Sequence, residues 1–253
     1  MIIVKKRINR NILWKKGPVK SLLNGLCNNS GGRNNHGKIT VLHRGGGVKR
    51  LCRVIAPLNT WMEPNTNNQS SSNIISKSPL SIQHFEYDPN RTAFLALINR
   101  SDNSSFYSLA SNEMIIDNKS LHSVELPQEL GLIPVGKLIY NLNDRYIKAA
   151  GTSGRLLKKN ESEALIRMPS GEFKSFPLHF KALLGTVSNA DHKNEIIGKA
   201  GTNRLRGIRP HVRGIAMNPV DHPHGGSNDK IGITPWGKPS KGYKTVRKSK
   251  KAK

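Results

Sequence analysis

Residues 91–110 read RTAFLALINRSDNSSFYSLA, two apolar, β-rich runs on either side of the turn signal Ser101-Asp102-Asn103. This spacing predicts a β-hairpin, and the same pattern extends outward from it. Downstream, EALIRM, then Pro169-Ser170-Gly171, then EFKSF predict a second hairpin. There Leu165 and Arg167 fall on one face and Ile166 and Met168 on the other, because successive strand side chains alternate. Upstream, KITVLHR offers Ile39, Val41 and His43 to one side of a further strand, favoured by its β-branched residues. Asn65 to Ser78 is rich in Asn and Ser and poor in apolar residues, which predicts a mobile surface loop. Short strands of this kind suggest two small barrels, an architecture that closes its own sheet edges. Pro127 and Pro134 stand in a connecting stretch of weak periodicity, so a division falls near residue 125.

The 253 residues include 41 Lys and Arg against 16 Asp and Glu, a formal charge of +25. Such a charge pushes a lone compact chain apart, so a polyanion is expected to neutralise it, nucleic acid first and a membrane surface second. Its placement is uneven. Residues 1–62 carry 13 basic side chains and no carboxylate, Glu63 being the first. Residues 63–198 are neutral, and residues 199–253 set 14 basic side chains against Asp221 and Asp229 alone. Two basic arms flanking a neutral body suit a fold that extends into a polyanion. No run approaches the roughly 18 apolar residues of a membrane span, and MIIV breaks at once into Lys5, Lys6 and Arg7, unlike a secretory leader. Cys27 and Cys52 lie far apart without a C-x-x-C, so neither a disulfide framework nor a zinc knuckle is expected, and the thiols read as buried or idle.

In the arms, GKAGTNRLRGIRPHVRG (198–214) sets Arg204, Arg206, Arg209 and Arg213 among glycines and Pro210, which excludes a regular helix on this reading. A Gly-punctuated strip lets backbone approach a phosphodiester chain while guanidinium forks grip phosphate and stack on bases. The stretch from His43 through Arg44, the triple glycine, Lys49 and Arg50 has the same character. RNA fits better than DNA, since no recognition helix, zipper or finger pattern is present to enter a major groove. One stretch looks catalytic: NPVDHPHGG (218–226), where His222 and His224 flank Pro223 beside Asp221. It reads either as metal ligands or an acid/base pair of a hydrolase, or as a Pro/Gly-shaped loop that hydrogen-bonds RNA. A third alternative is a free RNA chaperone. Trp61, Trp236 and Tyr243 read as packing residues.

The strings GGRNNHGKITVLHRGGGVKR, EYDPNR, IPVG, AGTSGRLL, GKAG, RGIRPHVRGIAMNPVDHPHGG and TPWGKPSKGYKT cover most of the chain. They resemble the universal large-subunit ribosomal protein of the L-two family in its bacterial and organellar form. The resemblance implies an all-β chain: a basic extension (1–36), an OB-fold RNA-binding domain (37–124), an SH3-like barrel (125–200) and a basic Gly/Pro-rich extension (201–253). It implies contacts with large-subunit rRNA, neighbouring ribosomal proteins and, at an intersubunit contact, the small subunit, with no membrane, DNA, metal, cofactor or catalytic residue of its own. The loop Asp221, His222, Pro223, His224, Gly225, Gly226 would approach the peptidyl transferase region. Family arginines that bind RNA fall on Arg91 and on Lys148, the latter a departure that keeps charge but loses the bidentate fork. The candidate rRNA contacts are Arg33, His43, Arg44, Lys49, Arg50, Arg53, Arg91, Lys148, Arg155, Lys199, Arg204, Arg206, Arg209, Arg213, His222, His224, Lys238 and Lys241. Val48 and Leu205 replace family histidine and tryptophan. Asn occurs 25 times and Ile 22 times against 12 Ala, a drift toward A/T-rich codons. That favours a mitochondrial ribosome over a plastid or an A/T-rich bacterium.

Overall fold

A computed structural model describes residues 12–27, 30–62, 80–100, 104–116, 126–226 and 232–239. The predicted loop at Asn65 to Ser78 and the turn at residues 101–103 lie outside them. Chain packing forms two units, Met1–Asn28 with Lys49–Gly198, and Asn29–Val48 with Lys199–Lys253.

The first unit contains the strands. The predicted hairpin is β4 (Leu95–Asn99) paired with β5 (Ser105–Leu109) from Leu95↔Leu109 to Asn99↔Ser105. β3 (Ser81–Glu86) pairs along the other edge of β4. Because β4 is central, Leu95, Ala96, Leu97 and Ile98 are all buried, which explains a continuous apolar run where alternation would mark a half-exposed strand. Tyr107 of β5 donates its hydroxyl proton to Glu86 Oε2 at 2.8 Å and accepts the Val19 N–H at 2.9 Å. Glu86 is itself buried, and its second oxygen meets His84 Nε2 at 2.9 Å.

A six-stranded antiparallel sheet follows, in the spatial order β10 (Phe173–Pro177), β9 (Glu163–Arg167), β8 (Gly154–Lys159), β7 (Leu138–Tyr140), β11 (Lys181–Leu184), β6 (Gln128–Glu129). β9 and β10 are the second predicted hairpin, in register from Arg167↔Phe173 to Glu163↔Pro177. Ala164 and Ile166 point into the core and Arg167 outward, as alternation requires. The two sheets share one hydrophobic core, joined by a backbone seam. Ser111 bridges Val187, the Asn112 N–H donates to the Thr186 carbonyl at 2.8 Å, and Ser188 N–H to Ala110 at 3.0 Å. Fully buried Ser188 also accepts the Phe94 N–H through Oγ at 3.0 Å, so its hydroxyl is not stranded in the apolar interior. The short helix α1 (Asn112–Ile116) starts at this seam.

Three expectations are corrected. KITVLHR is not a strand: it makes only the isolated bridges Arg33↔Ile39 and Arg44↔Ile208. Both the Thr40 and Val41 N–H groups turn back to the Gly32 carbonyl, and His43 takes φ 58°, so no ladder can run through it. Ile39, Val41 and Leu42 are consequently exposed, because alternation makes a strand only where a neighbouring strand and a core receive it. Secondly, Cys27 and Cys52 form a disulfide. β1 (Leu23–Leu26) pairs with β2 (Leu51–Arg53), the Cys27 N–H donates to the Arg50 carbonyl, and the two Cα atoms come within 5.4 Å, a bridgeable separation that sequence spacing does not reveal. Thirdly, residues 198–214 do contain a helix, α2 (Ala200–Leu205), bounded by Gly198 and Gly207 at positive φ. One interior glycine costs a helix only about 1 kcal/mol, so Gly201 does not prevent it.

Burial, followed by the adjacent Glu86 carboxylate, raises the Tyr107 phenol from 10.0 to about 12, against the opposing Val19 hydrogen bond and Arg53 charge. A folded value above the unfolded one favours the neutral phenol. The resulting stability is present below pH 10 and is lost as pH rises toward 12. Tyr107→Phe is expected to be less stable than the parent near pH 8, by about 1–3 kcal/mol for unpaired buried partners. The gap should narrow between pH 10 and 12 in thermal melts of the full chain. Parallel pH curves for parent and variant would contradict this account.

Candidate nucleic-acid interface

In the second unit, two cationic segments are held side by side through their backbones. Residues 43–48 run antiparallel to 205–209, with Gly45 N–H to Gly207 O, Val48 N–H to Leu205 O and Arg209 N–H to His43 O, each at 3.0 Å. Gly47, at φ +92°, approaches so closely that a Cβ there would lie 2.8 Å from the Gly207 nitrogen. The His43 and His211 rings meet edge to face, Nε2 to Nδ1 at 2.6 Å, so one nitrogen donates and the other accepts. Arg33, Arg44, Lys199, Arg204, Arg209, Arg213 and Lys238 are exposed, and Arg206 is half-buried. Asp221 is the single carboxylate among the described residues of this unit.

The loop 218–226 closes on itself. Asp221 and His222 N–H groups donate to the Asn218 carbonyl at 3.0 and 3.3 Å, and Gly225 N–H to His222 O at 2.8 Å. A side chain at Gly225 would strike the Asn218 carbonyl, and one at Gly214 would overlap the His222 ring. His222 Nδ1 accepts the His224 N–H at 3.0 Å, which assigns a neutral ring's proton to Nε2. His224 Nε2 accepts the Ile233 N–H at 2.7 Å, which assigns its proton to Nδ1. Each imidazole thus spends one nitrogen on loop closure. Among the described residues, no group of three His, Cys, Asp or Glu side chains is placed to hold a metal; Asp229 lies outside them.

The first unit carries a separate basic cluster on the turn after β3. Asp88, 1% exposed, accepts the Asn90 N–H at 2.8 Å and pairs with Arg91 Nε at 3.3 Å. Arg50 Nη1 donates to Pro89 O at 3.3 Å, and Asn90 Nδ2 to Leu51 O at 2.8 Å, so β2 and this turn are locked together. Lys148 is half-buried and donates to the Asp144 carbonyl. Burial first and the Arg91 charge second hold its ammonium below the ordinary lysine value, with Asp144 opposing them. Arg91 and Lys148 therefore form a like-charged pair, which an anion between them would relieve.

Arg53 and Arg155 donate to main-chain carbonyls, of Leu51 at 3.0 Å and Gly136 at 3.3 Å, while Lys49 is exposed. Lys241 and Tyr243 lie outside the described residues. Trp61 is a packing residue, 4% exposed against Phe106. Trp236 is not: it is 75% exposed, and no buried apolar side chain stands among the described residues of its unit to receive it. Sequence reasoning passed over Trp14, which the fold displays at the surface; its signal was an aromatic followed by Lys15 and Lys16 in an acid-free segment.

Residues 19–119 match the family model "Ribosomal Proteins L2, RNA binding N-terminal domain", and residues 127–250 match "Ribosomal Proteins L2, C-terminal domain". The large ribosomal subunit protein uL2 of Rickettsia canadensis (strain McKiel) is 42% identical, over 97% of this chain and 90% of its own length. That of Rickettsia bellii (strain OSU 85-389) is 43% identical over the same shares. The all-β architecture is accordingly an OB-fold followed by an SH3-like barrel. With both domains matched in order and relatives aligned along nearly the whole chain, the protein belongs to the ribosomal protein L2 family.

Proposed function

We propose that the chain is a structural constituent of the large ribosomal subunit that binds its rRNA, supports assembly of the peptidyl transferase region and assists subunit association. One observation carries the reading beyond family membership. Two cationic segments are zipped together by backbone bonds with hardly a carboxylate between them, leaving Arg44, Arg204 and Arg209 exposed for phosphate. Irregular, Gly-shaped backbone of this kind suits folded RNA better than a DNA groove.

The division at residues 36, 124 and 200, the eighteen rRNA-contact residues and the mitochondrial ribosome as the location belong to the same proposal. The location rests on the Asn- and Ile-rich, Ala-poor composition. The mechanism is electrostatic and geometric. The hydrolase alternative draws little support from His222 and His224, each of which gives a ring nitrogen to a loop N–H.

Sedimentation of native extracts tests the main claim: the protein should co-migrate with large subunits of mitochondrial ribosomes and be scarce as free chain. A purely free pool, or one on bacterial-type cytoplasmic or plastid ribosomes, overturns the function or the location respectively. Binding to duplex-containing rRNA should weaken by roughly 10³ to 10⁵ between 50 and 200 mM salt if six to ten phosphates are neutralised.

Lys148→Met separates stability from binding. A lysine whose folded value is depressed destabilises the fold while it is charged, a penalty that is full below the folded value, shrinks as pH rises past it and is gone only above the ordinary lysine value. At pH 7 the variant should therefore melt higher than the parent without RNA, yet bind rRNA more weakly with a salt slope shallower by about one. A lower melting temperature with unchanged RNA affinity would refute the assignment.

His222→Gln keeps an acceptor for the His224 N–H, so subunits carrying it should assemble and form peptide bonds within about tenfold of normal. Gly214→Ala, which presses on the same ring, should disturb assembly more. A thousandfold slower reaction in fully assembled His222→Gln subunits would restore a chemical role.

A further inference from the structure

Trp14 occupies a fixed place beside β3. Its main-chain N–H donates to Phe85 O at 2.8 Å, and Leu13 bridges Phe85 in parallel register. One face of the indole stacks on the His84 ring, centroids 4.3 Å apart and 17° from parallel. Glu86 holds that imidazole in turn. Leu13 is buried and does the packing, whereas Trp14 stays 43% exposed with the Lys16 ammonium 5.4 Å from its ring centre. Next to it opens a groove of about 360 Å³ lined by Leu13, Trp14, Lys15 and Tyr87, and Tyr87 is 50% exposed.

We infer that Trp14 and Tyr87 form a stacking cleft for an unpaired nucleobase of RNA, with Lys15 and Lys16 meeting the adjoining phosphates. The inference rests on the RNA-binding reading and gives it a base-contacting site outside the candidate set. Two half-exposed aromatics, one braced from behind by an imidazole, provide π-faces at little further ordering cost. The local charge selects the occupant. No carboxylate precedes Glu63 in the chain, and the acids nearest in sequence to Tyr87, Glu86 and Asp88, are buried and engaged with Tyr107, His84 and Arg91. A polyanion with flat apolar faces matches both properties, and stacking tolerates any base while favouring the larger purines.

The test compares binding of the full chain, by fluorescence anisotropy at about 150 mM salt, to a labelled single-stranded oligoadenylate and to an abasic RNA of equal length and charge. The oligoadenylate should bind about 5- to 150-fold more tightly, the range for one stacked base. Trp14→Ala and Tyr87→Ala should each shrink that advantage while leaving abasic binding unchanged, and Trp14→Phe should retain part of it. Thermal melts establish that the variants are folded; if Trp14→Ala melts early, Tyr87→Ala and Trp14→Phe decide the matter. An advantage that survives the substitutions, or equal affinity for both RNAs, overturns the cleft while leaving electrostatic RNA binding intact. Failure of the parent to bind either RNA overturns the RNA-binding reading as well. Equal displacement of the oligoadenylate by polyglutamate and by abasic RNA from Trp14→Ala and parent alike would also reject base recognition.

Discussion

Like-charge repulsion is the constraint around which the second unit is built. Residues 43–48 and 205–209 bring arginines together with almost no carboxylate to offset them, so side-chain ion pairing cannot be what unites the segments. Main-chain hydrogen bonds do so instead, and they demand the close approach that Gly47 and Gly207 allow. Arg44 and Arg209 remain exposed beside the seam, while Arg206 is half-buried. On the proposed reading, in which RNA phosphates bind at this seam, each one would also remove repulsion across the backbone zipper.

The first unit, which holds all the acids but Asp221 and Asp229, buries two of them to organise its structure. Glu86 and Asp88 are buried at the end of β3, where each organises neighbours: Glu86 takes the Tyr107 hydroxyl and His84, and Asp88 takes the Asn90 amide and Arg91. Buried carboxylates of this kind need several partners to offset their lost hydration. The EYDPNR stretch can be understood on that basis as a rigid bracket, sited where the OB-fold sheet, the β2 strand and the Lys148 loop converge. It holds Arg91 through Asp88, and the Arg91 charge in turn helps keep the Lys148 ammonium below the ordinary lysine value.

The hairpins at 95–109 and 163–177 were legible because each is two β-rich runs close in sequence: 163–167 shows the side-chain alternation of a half-buried strand, and 95–98 the continuous apolar run of a central one. KITVLHR carried the same alternation and misled, since nothing in seven residues discloses that Gly32 will capture its amides. The Cys27–Cys52 bond was invisible for the same reason: it depends on a ladder between β1 and β2 that are separated by a whole basic segment. At the site, the arginine strip could be read from composition. The tautomers of His222 and His224 and the exposure of Trp14 depend on which backbone groups and faces lie opposite, and those are products of the fold. Gly198 and Gly207, whose freedom argues against a helix in this strip, serve as the boundaries of α2.

The disulfide gives residues 29–48 an unusual mechanical setting. The chain belongs to the first unit up to residue 28 and again from residue 49, and the disulfide joins Cys27 to Cys52 within that unit, so this acid-free stretch is a ring cinched at its neck instead of a free tail. A ring of 25-residue separation explores far less volume than a linear extension, and its effective concentration around any partner segment is correspondingly high. Residues 205–209 therefore meet a presented loop edge. Closing the neck lowers the conformational entropy that the 28–51 loop itself has left to lose when it docks, before any polyanion arrives.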